Sequence, residues 1–232
     1  MHHFLFGIYP YIATVVLLVG SIARYERDPF TWKSSSSQLL RRKQLIMGSV
    51  LFHVGILTIF AGHFVGLLTP LWVFEALGVS HGAKQLLAII AGGGAGILML
   101  IGGSMLLHRR LTDPRIRKTS SFADIAILVL LMIQLLLGLG TIFVSLQNLD
   151  GVEMTKLMAW AHGIATFEPN AADHIVDISL IFKIHLTLGL TIVLLFPFTR
   201  LVHMLSVPVR YLVRPGYQIV RSRRQTTQRK SS

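Results

Sequence analysis

The sequence predicts an all-α integral membrane protein, a bundle of five transmembrane helices. Only 14% of its 232 residues are charged and the mean hydropathy is +0.64, whereas an ordinary soluble domain carries about 25% charged residues. Several apolar runs reach the roughly 18 residues needed to cross about 30 Å of hydrocarbon. Runs of this length indicate helices, because a helix satisfies its own backbone hydrogen bonds inside lipid.

Five apolar runs give the elements in order. The predicted spans are Phe4–Ile22, Leu45–Thr69, Gln85–Leu107, Phe122–Ser145 and Ile178–Leu205. We expect residues 1–205 to form the transmembrane domain and residues 206–232 to form a basic cytoplasmic tail, which docks a partner or lies on anionic lipid. The connection at 146–177 carries apolar residues at helical spacing, which fits a short interfacial helix or an irregular loop.

The distribution of positive charge predicts the orientation. Of the 22 lysines and arginines, six lie in residues 24–44, five in 108–121 and eight in 200–232, whereas 146–177 holds one. The positive-inside rule therefore places the N-terminus outside and the C-terminus in the cytoplasm. Because the basic residues bracket apolar segments, the net charge of +12 does not indicate a nucleic-acid-binding face.

The absence of cysteine limits the metal chemistry. Without thiols the chain has no disulfides, no thiolate clusters and no covalently attached haem, since that attachment needs a C-x-x-C-H motif. The ten histidines and eight methionines remain as soft metal ligands.

Four histidines lie inside predicted spans, where ionisable residues are costly and usually functional. The second span holds His53 and His63, and the fifth holds His185 and His203. Because these spans run in opposite directions, depth pairs His63 with His185 near the outer face and His53 with His203 near the inner face. In straight helices, His53 and His63 would lie about 15 Å apart along the axis, and His185 and His203 about 27 Å apart. Presenting both pairs requires tilt or a kink, for which Pro197 is the candidate.

Facing pairs of neutral imidazoles are typical axial ligands of a low-spin, non-covalent haem that transfers electrons. The alternatives are hydrogen bonds between helices, or proton relay in an anchor or transporter without redox function. Four ligands so far apart cannot form one tetrahedral zinc site. The histidines therefore predict two haem b groups, one for each pair.

Nine short stretches, spread from the first span to the start of the tail, form a specific set. They are Ile8–Ala13, Leu51–Leu57, Gly62–Phe64, Leu68–Pro70, Gly102–Gly103, Arg109–Leu111, Lys156–Leu157, Leu195–Phe198 and Ser206–Val209. With these residues the chain resembles the gamma (cytochrome b) subunit of membrane-bound respiratory nitrate reductase. The resemblance implies that His53 and His203 hold an inner haem, and that His63 and His185 hold an outer haem. It also implies docking to a cytoplasmic iron–sulfur (beta) subunit, which serves a molybdenum-containing catalytic (alpha) subunit.

The resemblance further implies that quinol is oxidised near the outer haem, at Lys84 and Gly62. Lys84 could instead be an interfacial lysine that snorkels to water, and the loop at 78–82 departs from the family pattern. Lys183 could meet a haem propionate or could simply snorkel to water. Arg109 and Arg110 could hold inner-haem propionates, or they could set the orientation as members of the basic cluster on the inner side. The remaining histidines are expected at the surface: His2, His3, His81, His108, His162 and His174.

The sequence thus predicts a quinol-oxidising electron-transfer subunit of a nitrate reductase in the cell membrane. The alternative is an equivalent dihaem cytochrome b subunit of another quinone-linked reductase, of the sulfite or heterodisulfide type, since the same four histidines could serve it.

Overall fold

The computed structural model describes residues 1–32 and 42–206, and these residues form eight α-helices together with short 3₁₀ and π-helical segments. The helices are α1 (Tyr9–Arg27, preceded by a π-helical turn at Phe4–Ile8), α2 (Arg42–Leu68), α3 (Leu71–Ala76), α4 (His81–Thr112), α5 (Pro114–Thr119), α6 (Phe122–Gln147), α7 (Val152–Ala165) and α8 (Leu180–Leu195). The tail from residue 207 onward, with Lys33 and Arg41, lies outside the described residues.

Five helices in the described part of the chain are long and apolar enough to cross a membrane. They are α1 with its preceding turn, α2, α4, α6, and α8 extended to Phe198. Each contains or overlaps one predicted span, which confirms the predicted multi-pass membrane fold. Helix α4 is longer than predicted because Ser80 caps its N-terminus and the helix continues through Arg109 and Arg110 to Thr112.

The long helices pack in an order that differs from the chain order. Contacts run from α2 to α4, from α4 to α6, from α6 to α8 and from α8 to α1. The closest approach is between α2 and α4, where glycines remove the side chains that would separate the backbones. A Cβ at Gly55 would lie 2.6 Å from the carbonyl oxygen of Ala95, and one at Gly102 would lie 2.4 Å from the amide nitrogen of Phe52.

The two ends of the bundle differ in composition. One end, called here the basic end, contains most of the described lysines and arginines. It is formed by the C-terminal ends of α1 and α4, the N-terminal ends of α2 and α6, and helix α5. The other, called here the α7 end, is closed by α7, which lies within residues 146–177, where either a short interfacial helix or an irregular loop was expected. Helix α7 is held there by its buried face, where Trp160 Nε1 donates to the carbonyl of Phe6 at 2.9 Å.

The predicted fifth span, Ile178–Leu205 with a candidate kink at Pro197, is wrong as a single α-helix. Helix α8 ends at Leu195, and the chain continues as 3₁₀ turns at Phe196–Phe198 and Arg200–Ser206. Pro197 explains the break, because it has no amide hydrogen to donate and its ring collides with the preceding turn of an α-helix. His203 therefore lies on a separate 3₁₀ segment, and its height and rotation do not follow from a straight helix through His185.

Candidate functional site

Two pairs of histidines face each other between α2 and the chain from α8 onward. The ring centroids of His63 and His185 lie 6.2 Å apart, and those of His53 and His203 lie 6.4 Å apart. The partners are those expected from depth in the membrane. The pairs occupy different heights, since His53 and His63 are ten residues apart on one helix and hence about 15 Å apart along it.

The spacing within each pair fits a metal ion bound between two imidazoles. A metal–imidazole bond is about 2.0 Å long, so two rings that share one ion have their centroids about 6 Å apart. The described residues contain no cluster of three or more His, Asp or Glu that could hold a metal, so each histidine pair would supply two axial ligands only.

Hydrogen bonds at Nδ1 fix the tautomer of three of the four rings. His53 Nδ1 lies 2.7 Å from the carbonyl oxygen of Ser49, His63 Nδ1 lies 2.8 Å from that of Ile59, and His203 Nδ1 lies 2.5 Å from that of Arg200. A carbonyl only accepts, so Nδ1 carries the hydrogen and Nε2 keeps its lone pair. This is the arrangement in which a histidine binds a metal through Nε2 while its other nitrogen is anchored.

His185 is held differently. Its Nδ1 is buried without a hydrogen-bond partner among the described residues, and its contacts come from Gln134 on α6. Gln134 Nε2 donates to the backbone carbonyl of His185 at 3.0 Å and lies 3.4 Å from the ring Nε2. Two glycines make room for this contact. A Cβ at Gly138 would lie 3.0 Å from the His185 ring, and one at Gly189 would lie 3.1 Å from the Gln134 amide.

The face of α2 beside the histidines is open enough for a flat cofactor. His53 and His63 are both exposed side chains. A Cβ at Gly62 or at Gly66 would meet no atom within 4 Å. With the ring spacings in both pairs and the Nδ1 anchors of His53, His63 and His203, this space makes the four histidines a fitting ligand set for two haem groups.

Lys84, at the start of α4, is turned into the protein at the α7 end. Its side chain is 8% exposed, so it does not snorkel to water. Its ammonium donates to the carbonyl of Gly66 at 3.2 Å, contacts Met158 Sδ on α7, and lies 3.9 Å from the ring centroid of Phe74. Gly66 lies three residues after His63 on α2. Lys84, the only buried lysine in the described part of the chain, is therefore near the His63–His185 pair.

The other charged residues with open roles divide between the two ends. Arg109 at the basic end is only 2% exposed. An arginine that only sets the orientation would be expected to reach water instead. Lys183, in the first turn of α8, donates through Nζ to the backbone carbonyl of Val176, which precedes the helix. Among the histidines expected at the surface, His162 departs from the prediction because its Nε2 is buried on α7, and His2 is tied to the carbonyl of Ala172 at 2.8 Å.

Comparison with known proteins settles the family. A family model described as nitrate reductase gamma subunit matches residues 2–223. The chain belongs to the nitrate reductase gamma subunit family. It is 52% identical to the respiratory nitrate reductase 1 gamma chain of Escherichia coli (strain K12), over 96% of this chain and 98% of that one. Identity to the nitrate reductase gamma chain of Bacillus subtilis (strain 168) is 41%, over 94% of this chain and 97% of that one.

In this gamma-subunit family member, sequence reasoning selected the four histidines and Lys84 as candidate site residues but did not select Gln134, which contacts His185. A polar side chain in the middle of an otherwise apolar span was the available signal, since an amide inside a membrane needs a partner. Its partner could not be named from the sequence, because the contact depends on how α6 packs against α8.

Proposed function

We propose that this gamma subunit is a dihaem cytochrome b that oxidises quinol near the outer face of the cell membrane. Its electrons pass inward to a cytoplasmic iron–sulfur subunit of a respiratory nitrate reductase. The observation that carries the proposal is the presence of two histidine pairs at different heights, each with the spacing of two axial ligands. Family membership favours nitrate reductase over a sulfite- or heterodisulfide-type reductase.

In the proposed assignment His63 and His185 hold the outer haem, and His53 and His203 hold the inner haem. When bound, these groups supply one-electron transfer between the two faces of the membrane. The chain's contribution is to fix the ligands. Backbone carbonyls accept hydrogen bonds from Nδ1 of His53, His63 and His203. These bonds keep each Nε2 deprotonated and hold each ring in a fixed orientation.

Quinol would bind at the α7 end, beside Lys84 and Gly62. The ammonium of Lys84 is a buried hydrogen-bond donor close to the outer pair, and such a donor can hold a quinol oxygen. Gly62 presents a backbone without a side chain one residue before His63, which lets a flat ring approach α2. Helix α7 covers this region through Met158 and limits the entry of water.

The proposed orientation makes the reaction electrogenic. The positive-inside rule assigns the basic end to the cytoplasm, so quinol protons leave at the outer α7 end while electrons move inward. Each elementary charge moved against 100 mV stores about 2.3 kcal/mol. The basic end, with Arg109 and the segment that carries His203, is then the surface that faces the iron–sulfur subunit and, beyond it, the molybdenum-containing subunit.

The purified complex tests this function directly. We expect two non-covalent b-type haems per gamma chain, reducible by a soluble quinol and reoxidised by nitrate but not by sulfite. The absence of a b-type absorption band after dithionite reduction would exclude a cytochrome and favour a membrane anchor or a transporter. Reoxidation by sulfite instead of nitrate would favour the other reductase class.

A further inference from the structure

The chain between α8 and His203 has an irregular backbone that helix geometry cannot satisfy. After Leu195 the chain passes through Phe196–Phe198 and Thr199 before the 3₁₀ segment Arg200–Ser206, called here the His203 segment. Carbonyl groups at such a break lose their intrahelical partners, and buried backbone groups need replacement donors. The identity of those donors decides how firmly His203 is held.

Arg24, in the last turn of α1, supplies them. Its guanidinium Nη1 donates to the carbonyl of Pro197 at 2.7 Å and to that of Thr199 at 2.8 Å. On its other side, Nε donates to Thr31 Oγ1 at 3.2 Å and Nη2 donates to the Thr31 carbonyl at 3.1 Å. One planar side chain therefore joins α1, the turn at 29–31 and the break itself.

Two further contacts fix the same region against α1 and the turn that follows it. Gly20, one helical turn before Arg24, packs against Pro197 so tightly that a Cβ there would lie 2.8 Å from Pro197 Cγ. At the far end of the His203 segment, Ser206 Oγ donates to the carbonyl of Trp32 at 3.4 Å. The His203 segment is thus attached at its start and its end to the chain around Arg24.

We propose that Arg24 is a positioning residue for the inner-haem ligand His203. It acts through the backbone, by holding the Pro197 and Thr199 carbonyls and so setting where the His203 segment begins. Arginine suits this role because its rigid fork presents several donors in one plane, whereas the ammonium of lysine is a single point of donation. The proposal rests on the assignment of His203 as a haem ligand.

The test uses the full complex with three variants. Arg24→Met keeps the apolar stem and removes every donor, and Arg24→Lys keeps the charge but loses the fork. Arg27→Met is the matched control, since Arg27 lies in the same last turn of α1 and is exposed. The readouts are the spectroscopic signal of each haem and the hydrogen exchange of residues 197–206.

We expect Arg24→Met to weaken or shift the inner-haem signal while leaving the outer-haem signal unchanged. Exchange in residues 197–206 should rise about tenfold or more, because the variant removes two hydrogen bonds from a charged donor to the carbonyls just before the His203 segment. Arg24→Lys should lie between wild type and Arg24→Met, and Arg27→Met should match wild type. If Arg24→Met does not assemble, Thr31→Val removes one anchor of the guanidinium and should give a smaller change in the same direction.

An unchanged inner-haem signal with unchanged exchange in Arg24→Met, or an equal loss of both haem signals, would overturn the proposal. His203→Ala separates this failure from a failure of the proposed function. If His203→Ala removes the inner haem and Arg24→Met does not affect it, the positioning role alone is wrong. If His203→Ala leaves both haems intact, the ligand assignment is wrong.

Discussion

Lys84 is a buried lysine in the first turn of α4, and the groups around its ammonium explain how it is held there. A carbonyl oxygen, a thioether sulfur and an aromatic face surround its ammonium, contributed by α2, α7 and α3. All three are neutral, so the charge of the ammonium is not cancelled and remains available to an incoming oxygen ligand.

Lys84→Ala tests the proposed contact with quinol. We expect kcat/KM for quinol to fall about ten- to a hundredfold, the effect of losing one charge-assisted hydrogen bond of about 1.5–3 kcal/mol. Reduction of nitrate by a dye that donates directly to the soluble subunits should stay at the wild-type rate. Lys156→Ala on α7 is the control, and equal quinol kinetics in both variants would argue against a quinol contact at Lys84.

At the scale of the element, the α2–α4 contact supports the part of α2 that carries His53. The glycines of α4 are not equivalent. A Cβ at Gly102 would collide with the backbone of Phe52, the residue next to His53, whereas a Cβ at Gly94 would meet nothing within 4 Å. The two helices can approach closely at Gly102 only because the side chain is missing, as is common where membrane helices pack.

Gly102→Ala should therefore destabilise the subunit by about 1–3 kcal/mol, the usual effect of overpacking, and Gly94→Ala should not. The measurement is the temperature at which the detergent-solubilised complex releases haem. Because Gly102 lies beside the residue preceding His53, we expect the inner haem to be released first. Equal midpoints for the two alanine variants would contradict the tight α2–α4 contact.

The α8 break shows where sequence-based prediction of elements ends. The length and apolarity of the spans predicted all five membrane helices, because crossing a bilayer demands a long continuous run. Apolarity alone does not distinguish an α-helix from the 3₁₀ turns that continue it, so the fifth span was predicted too long. Pro197 indicated a kink, but the hydrogen bond from Arg24 to the Pro197 carbonyl joins residues 173 positions apart, and the sequence carries no signal for it.

At the scale of the whole molecule, the pairing of histidines could be predicted and their anchoring could not. Alternating charge and helix direction were sufficient to match His63 with His185 and His53 with His203. The Nδ1 partners of three rings are local carbonyls, which any helical histidine can reach. Gln134 and the surroundings of Lys84 arise from contacts between distant helices, and a single sequence carries no direct signal for such contacts.

The orientation predicted from charge can be tested by labelling single introduced cysteines, because the chain contains no cysteine of its own. Single variants Asn148→Cys, in the exposed turn before α7, and Thr119→Cys, at the end of α5, each place one thiol at an opposite end of the bundle. A membrane-impermeant maleimide applied to the outer face should label position 148 without disruption of the membrane and position 119 only after permeabilisation. The reverse pattern would place the α7 end in the cytoplasm and would contradict outward proton release.

The electron paramagnetic resonance spectrum of the oxidised complex tests the central claim most directly. Two bis-histidine haems predict two low-spin ferric signals in the wild type. His63→Ala and His185→Ala should each remove the same signal, and His53→Ala and His203→Ala should each remove the other. Four variants that retain both signals, or partners within one pair that remove different signals, would contradict the account.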